Sequence, residues 1–252
     1  MQRTRDLVWD GCLNVRDLGG HRTNDGGETR FGAVVRADSV RQLTEAGWHA
    51  LVDYGIATVV DLRGDHERED DPPAEVPIEV LHIPFMEANK AEWDEIEAEL
   101  EAANDRAPDQ ATATRDVYLI FLQHFKDNVA ASIRAVARAR EGGVVVHCVG
   151  GKDRTGLLTA LLLHLAGVDV EQIAADYALS EERLRPREEA FLAKAETEVE
   201  RDEIHRFSRT PAATIVGVLE ELERRYGSVE GYLTAAGVEP DDLDLARDRL
   251  RG

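Results

Sequence analysis

One stretch constrains this chain more than any other. Residues 142–147 (GGVVVH) run without a break into CVGGKDRTG and then into LLTALLLHL, which ends at Leu165. Three consecutive valines without polar alternation predict a strand buried on both faces. The apolar run over residues 155–165 predicts a helix directly behind it. A strand, a tight glycine-bearing loop and a helix N-terminus turn successive backbone N–H groups towards one point and add the positive end of a helix dipole. Such a loop is an anion site.

The rest of the chain repeats the alternation of strand and helix. Gly19-Gly20 and Asn24-Asp25-Gly26-Gly27 mark a hairpin-like opening that runs through Arg36. A helix is predicted over about Glu45–Asp53, with Thr44 as N-cap and Gly55 as its stop. Residues 56–62 (IATVVDL) read as a second buried strand, and residues 78–85 as an extended stretch after Pro72-Pro73 and Pro77. Over residues 117–136, Val117, Phe121, Phe125, Val129, Ile133 and Val136 predict a core helix. Residues 90–103 and 188–204 carry narrow apolar stripes on charged helices. Thr210-Pro211 reads as N-cap and first turn of a final helix ending near Gly227. The expected class is α/β: a central parallel sheet flanked by helices, in a single domain over residues 1–252 with added helices.

Composition removes several alternatives. A formal charge of -20 argues against nucleic acid, whose phosphates would be repelled. No apolar run approaches the ~20 residues of a membrane span, so no integral membrane association is expected. Two cysteines, Cys12 and Cys148, are simplest as free thiols in a reducing compartment. The first residues, MQRTRDLVWDG, lack the apolar stretch of a secretory signal. A cytoplasmic location is expected, with leaderless export left open.

Cys148 opens the glycine-bearing loop and Arg154 closes it six residues later. An arginine fork holds two oxygens of a phosphate in one plane. The same electropositive cradle favours thiolate at Cys148; such surroundings lower a cysteine pKa from about 8.5 to roughly 3.5–7.5. A solvent-reachable thiolate facing a bound phosphate is a nucleophile for phosphoryl transfer. Val149, Gly150, Gly151, Lys152, Thr155 and Gly156 complete the expected phosphate-binding set. Lys152 is followed by Asp153, so the Walker A pattern is absent. The histidines show no metal-ligand spacing, and neither a metal nor a cofactor is expected.

Asn14-Val15-Arg16-Asp17-Leu18-Gly19-Gly20, Val59-Val60-Asp61-Leu62-Arg63, Asp176-Tyr177-Ala178-Leu179-Ser180 and Tyr226-Gly227-Ser228-Val229-Glu230-Gly231-Tyr232 stand in that order. Together with HCVGGKDRTG they resemble the signatures of the bacterial cysteine-dependent tyrosine phosphatases, a family with a secreted mycobacterial protein and lipid phosphatase among its members. The resemblance implies a protein tyrosine phosphatase-like fold and hydrolysis of phosphate monoesters through a phosphocysteine at Cys148, without a cofactor. The implied partners are a phosphorylated protein or phospholipid, phosphotyrosine before phosphoserine, phosphothreonine or phosphoinositide, with inorganic phosphate as product.

The leaving oxygen needs a proton. The Trp-Pro-Asp loop common among tyrosine phosphatases is missing, because Trp9, Trp48 and Trp93 each lack a following Pro-Asp. Two carboxyls compete for the role. Asp153 lies inside the loop. Asp61 ends a strand beside it, or else holds the sheet edge through a salt bridge with Arg63 or Arg16, while Arg63 is otherwise a substrate contact. His147 is expected to orient the loop, Thr155 to donate to the Cys148 sulfur or cap the helix, and Arg16 and Asp17 to brace the loop from behind. The helices at 90–103 and 188–204 form either a lid or two solvated faces. A phospho-binding module with weak or no catalysis and a rhodanese-type sulfur transferase are the rivals. Cys148 together with Asp153-Arg154-Thr155-Gly156 favours the phosphatase.

Overall fold

The computed structural model describes residues 3–69, 76 and 78–252. The breaks expected at Pro72-Pro73 and Pro77, and the first two residues of the chain, lie outside them. In chain order, β1 is Arg16–Asp17, β2 Val34–Ala37, α1 Glu45–Asp53, β3 Ile56–Asp61, α2 Asp65–Glu69 and β4 Glu79–His82. Then come α3 Lys90–Arg106, α4 Gln110–His124, α5 Lys126–Ala137, β5 Gly143–His147, α6 Arg154–Leu165 and α7 Val170–Arg183. The chain closes with α8 Arg185–Leu192, α9 Glu198–Ser208, α10 Ala212–Tyr226, α11 Val229–Ala235 and α12 Pro240–Arg251.

The strands form one sheet in the order β1-β2-β5-β3-β4, parallel except for the antiparallel edge strand β1. The expected α/β class with a central parallel sheet flanked by helices is observed, except that the edge strand β1 runs antiparallel. β5 takes the middle, which explains its unbroken valines. Val144 and Val146 pack into the larger core with α5, α6 and α10, while Val145 packs on the opposite side with Trp9, Val40, Leu51 and Val59. Ala37 and Asp61 both pair in register with His147, so three parallel strands finish on one line. Parallel α/β sheets place their ligand sites at that edge.

Three expectations about helices change. The single helix over 117–136 is broken at Phe125, where the backbone turns to φ −106°, ψ 33°. No Gly or Pro marks that bend. It lets α4 pack on α3 and α10 while α5 packs on α12 and α6, and it buries the Phe125 ring against Trp93 at 5.7 Å. The helix over 188–204 is two, because Thr197 and Glu200 form a capping box that starts α9 afresh. Pro211, and not Thr210, holds the N-cap position of α10, and α11 and α12 follow it. Thr210 is instead tied to α7, accepting from the Glu181 amide at 3.0 Å. Among the described residues no helix is long and apolar enough to cross a membrane.

Behind the line of strand ends lies a buried ionic cluster. Arg16 Nε and Arg36 Nη1 hold the two oxygens of Asp176 at 2.8 and 2.7 Å. Arg16 also donates to the Asn14 side-chain oxygen at 2.6 Å and the Asp176 carbonyl at 2.7 Å. Burial would raise the Asp176 carboxyl, but Arg16 and Arg36 outweigh it and hold it well below the usual carboxylate range. Burial, with Arg36 alongside, pushes Arg16 down to about 9 against the pull of Asp176. Asp176→Asn would leave two buried guanidiniums facing each other, a loss of about 3–5 kcal/mol by urea denaturation at neutral pH. Because the folded pKa is depressed, the contribution of Asp176 is complete above about pH 4 and is lost as the pH falls below that range. The variant should lack that part of the acid transition.

Candidate active site

The loop between β5 and α6 is shaped by what holds its carbonyls. The Val149 oxygen accepts from the Ser39 amide at 3.1 Å and from Arg187 at 3.2 Å. Asn14 Nδ2 donates to the oxygens of Gly150 and Gly151 at 3.0 and 3.1 Å, and Arg36 adds a 2.7 Å bond to Gly151. His147 Nδ1 donates to the Cys148 carbonyl at 3.1 Å. With the oxygens tied back in this way, the amides on the other side of the peptide planes are left for an anion. Among the described residues, no protein acceptor takes a hydrogen bond from the amides of Val149, Gly150, Gly151, Lys152 or Asp153.

Glycine is required at one of the two loop positions. Gly151 has φ +63°, and a Cβ there would lie 2.3 Å from the Ala37 carbonyl oxygen. At Gly150 nothing comes closer than 3.9 Å. Gly156 serves packing instead, since a Cβ would stand 3.1 Å from the Tyr177 ring.

Cys148 lies at the mouth of this cradle but is only 2% exposed, so the expected solvent-reachable thiol is reached through a pocket. Arg154 reaches it from the first residue of α6. Its two terminal nitrogens are held by Glu67 at 2.5 and 2.8 Å, a paired fork that the sequence reading missed. Glu67 stands on α2, which is too short for any periodic signal. Burial would lower the Arg154 pKa, but Glu67, with Cys148 and Asp153, holds it above its ordinary value.

The strand-end residues form a second layer that does not line the pocket. Asp61 is buried and holds Arg63 through two side-chain bonds of 3.0 and 2.9 Å, with His147 Nε2 at 3.5 Å. Burial would raise the Asp61 carboxyl; the Arg63 bonds and the nearby His147 override it and lower it. Arg63 is therefore placed as a partner of Asp61 and is absent from the pocket lining. Burial lowers the His147 pKa despite Asp61. Arg16 supports the loop indirectly, through Asn14. Asp17 makes no bond to the loop: its carboxylate accepts from the Tyr54 hydroxyl at the end of α1 and from the amides of Gly19 and Gly32 in the opening segment. The Thr155 hydroxyl is buried without a hydrogen-bond partner among the described residues, so no bond to the Cys148 sulfur is formed.

Asp153 faces the other way. Its side chain is 46% exposed, and its Oδ1 accepts from the Tyr118 hydroxyl of α4 at 2.5 Å. Together with Cys148, Val149, Gly150, Lys152 and Arg154 it forms one wall of a pocket of about 740 Å³. Leu184, Phe191, Ile204 and Phe207 give the facing wall an apolar character. That wall is the α8–α9 pair, anchored to the loop by Arg187 on Val149 and by Lys152 Nζ on the Phe207 carbonyl. Of the two helical additions, only this one covers the site. α3 packs on α4, where Ile96 is buried, and is absent from the pocket lining. No His, Cys, Asp or Glu group suited to a metal ion occurs among the described residues.

The model of the tyrosine phosphatase family matches residues 7–252. A tyrosine-protein phosphatase of Nostoc commune is 29% identical over 227 residues, which cover 86% of this chain and 74% of the relative. The triple specificity protein phosphatase PtpB of Mycobacterium tuberculosis is 27% identical over 274 residues, covering 96% of this chain and 98% of its own.

The loop geometry separates its two glycines experimentally. Gly151→Ala should cost at least about 1–2 kcal/mol for the left-handed backbone alone, with the clash on Ala37 in addition. Most turnover should go with it. Gly150→Ala should stay within about 0.5 kcal/mol of the parent in thermal denaturation.

Proposed function

The chain belongs to the tyrosine phosphatase family, and on that premise we propose that it hydrolyses phosphate monoesters through a phosphocysteine at Cys148. The observation that carries the reading is the cradle itself: carbonyls tied back, amides without protein acceptors, Cys148 at its start and Arg154 at its close.

The steps follow from that arrangement. The Cys148 sulfur attacks phosphorus in line, and the bond to the leaving oxygen breaks. Loop amides and Arg154 bind the equatorial oxygens as charge spreads over them. Glu67 engages two of the five N–H donors of the guanidinium and orients the rest towards the pocket. Water then attacks the phosphocysteine, inorganic phosphate leaves and the thiolate is regenerated.

Asp153 is the proposed general acid in the first step and the base for water in the second. Its position on the pocket wall supports this role. Asp61 is buried and held as a carboxylate by Arg63 and His147, which supports a bracing role for it. Lys152, with its nitrogen on the Phe207 carbonyl, ties the loop to the covering helices.

Phosphotyrosine is the first substrate in this reading, because Leu184, Phe191, Ile204 and Phe207 offer an apolar wall to an aryl ring. The name of the mycobacterial relative supports a wider range, in which phosphoserine, phosphothreonine and phosphoinositide are second candidates. Residues 1–252 act as one phosphatase domain, a reading supported by the packing of α10, α11 and α12 on the same core as β5 and α6. Both cysteines are free thiols, which supports a cytoplasmic setting.

Cys148→Ser should reduce p-nitrophenyl phosphate turnover to background while vanadate or phosphate still binds in a thermal-shift assay. Substantial remaining turnover would sink the phosphocysteine. Asp153→Asn should slow phenyl phosphate by about 10²–10⁴-fold and an activated aryl phosphate far less. A uniform loss across leaving groups would make Asp153 a loop brace.

A further inference from the structure

Asp153 occupies the N-cap position of α6, where an aspartate ordinarily accepts from an amide of the first helical turn. Its side chain makes no such bond. Oδ1 is held instead by Tyr118, a buried residue contributed by α4 and unnoticed in the sequence. The Tyr118 ring stands edge-on to Tyr177 of α7, with centroids 6.3 Å apart and planes at 89°. Their hydroxyls are 2.9 Å apart. A phenol carries one proton. Tyr118 commits its own to Asp153, so Tyr177 is the donor between the two hydroxyls. The chain of donation runs from Tyr177 to Tyr118 to Asp153.

Building on the reading of Asp153 as the acid, we propose that Tyr118 is its positioning residue. By occupying Oδ1 it leaves Oδ2 as the oxygen that carries the transferable proton, and it stabilises the carboxylate that forms when that proton leaves. In the step itself the Oδ2–H bond breaks, an O–H bond forms on the leaving oxygen, and the electron pair stays on the carboxylate. When water attacks the phosphocysteine, its proton returns to Oδ2. A donor chain of this kind is polarised along its length, so Tyr177 strengthens the bond that Tyr118 makes.

The surroundings are consistent with a fixed donor. Burial, together with Asp153, raises the Tyr118 pKa well above its usual value, and burial does the same for Tyr177. Both therefore remain protonated across the working pH range. The cations nearest Asp153 are Lys152, at 3.6 Å from Oδ1, and Arg154. Arg187 and Glu188 of α8 and Glu200 and Glu203 of α9 face it across the pocket, while Arg36 and Glu181 act on Tyr177 from behind.

The test is Tyr118→Phe, which keeps the ring. Without the hydroxyl the carboxylate formed in the step loses a donor that stabilises it, so the alkaline limb of the kcat profile should move up by about one pH unit. Below both limbs, phenyl phosphate turnover should fall about tenfold and p-nitrophenyl phosphate turnover by less than about twofold. Tyr177→Phe should shift the limb in the same direction by a smaller amount. The position of a limb does not depend on the fraction of enzyme folded, so the readout survives a loss of stability. An unmoved limb in Tyr118→Phe, with the leaving-group dependence of Asp153→Asn intact, overturns the role given to Tyr118. Absence of that dependence in Asp153→Asn overturns the acid assignment, and the Tyr118 proposal with it.

Discussion

The loop between β5 and α6 is held from behind by its carbonyl oxygens. A loop with two adjacent glycines has little intrinsic preference for one shape, and its amides would as readily point at solvent. Asn14 takes two of the carbonyls, and Arg36 adds a second bond to one of them. Neither side chain could hold its place alone in a dry interior. Asn14 is fixed by Arg16 and by its backbone bond to Asp38, and both arginines are fixed by Asp176. The cluster pairs two buried guanidiniums with the Asp176 carboxylate, and the buried Asp38 carboxyl stands beside it on the amide of Asn14.

Burying such a cluster is costly, and well-packed apolar residues of similar volume are often no less stable. What the ions supply here is direction. Each guanidinium presents several donors in a rigid plane, so it can bond a carboxylate and a loop carbonyl together. Arg36 does this with Asp176 and Gly151. Leucine at the same place would fill the space but remove one of the two bonds that hold the Gly151 oxygen and leave Asp176 with one guanidinium fewer.

The two carboxylates that competed in the sequence are separated by their surroundings. Asp61 is enclosed by Arg63 and His147 at the strand ends and braces the sheet edge. Asp153 stands on the pocket wall with one oxygen taken by a tyrosine and its side chain about half exposed. The α8–α9 pair adds an apolar wall opposite it, so the reaction proposed here would run in a partly dry space where hydrogen bonds to developing charge are stronger than in water.

Much of this was legible in the order of residues. The valines of β5, the glycines, Cys148, Arg154 and the leucines of α6 are contiguous, and the geometry they imply is local: strand, turn and helix start. Periodicity likewise located α1, β3 and the amphipathic stripe of α3, and Thr44 marked the start of α1. Other features had local signals that were passed over, such as Thr197 and Glu200 at the start of α9. Three decisions belonged to tertiary structure alone. Glu67 meets Arg154 across 87 positions, Tyr118 meets Asp153 across 35, and Asn14 meets Gly150 across 136. Such pairs leave no periodic trace, because they depend on where the sheet and helices bring distant segments together. The bend at Phe125 is of the same kind: two neighbouring stretches prefer different packing partners, and no residue type at the bend records it. The sequence by itself determined which chemical groups stand in the loop; only the packed chain decided which of its neighbours are buried in ion pairs and which line the pocket.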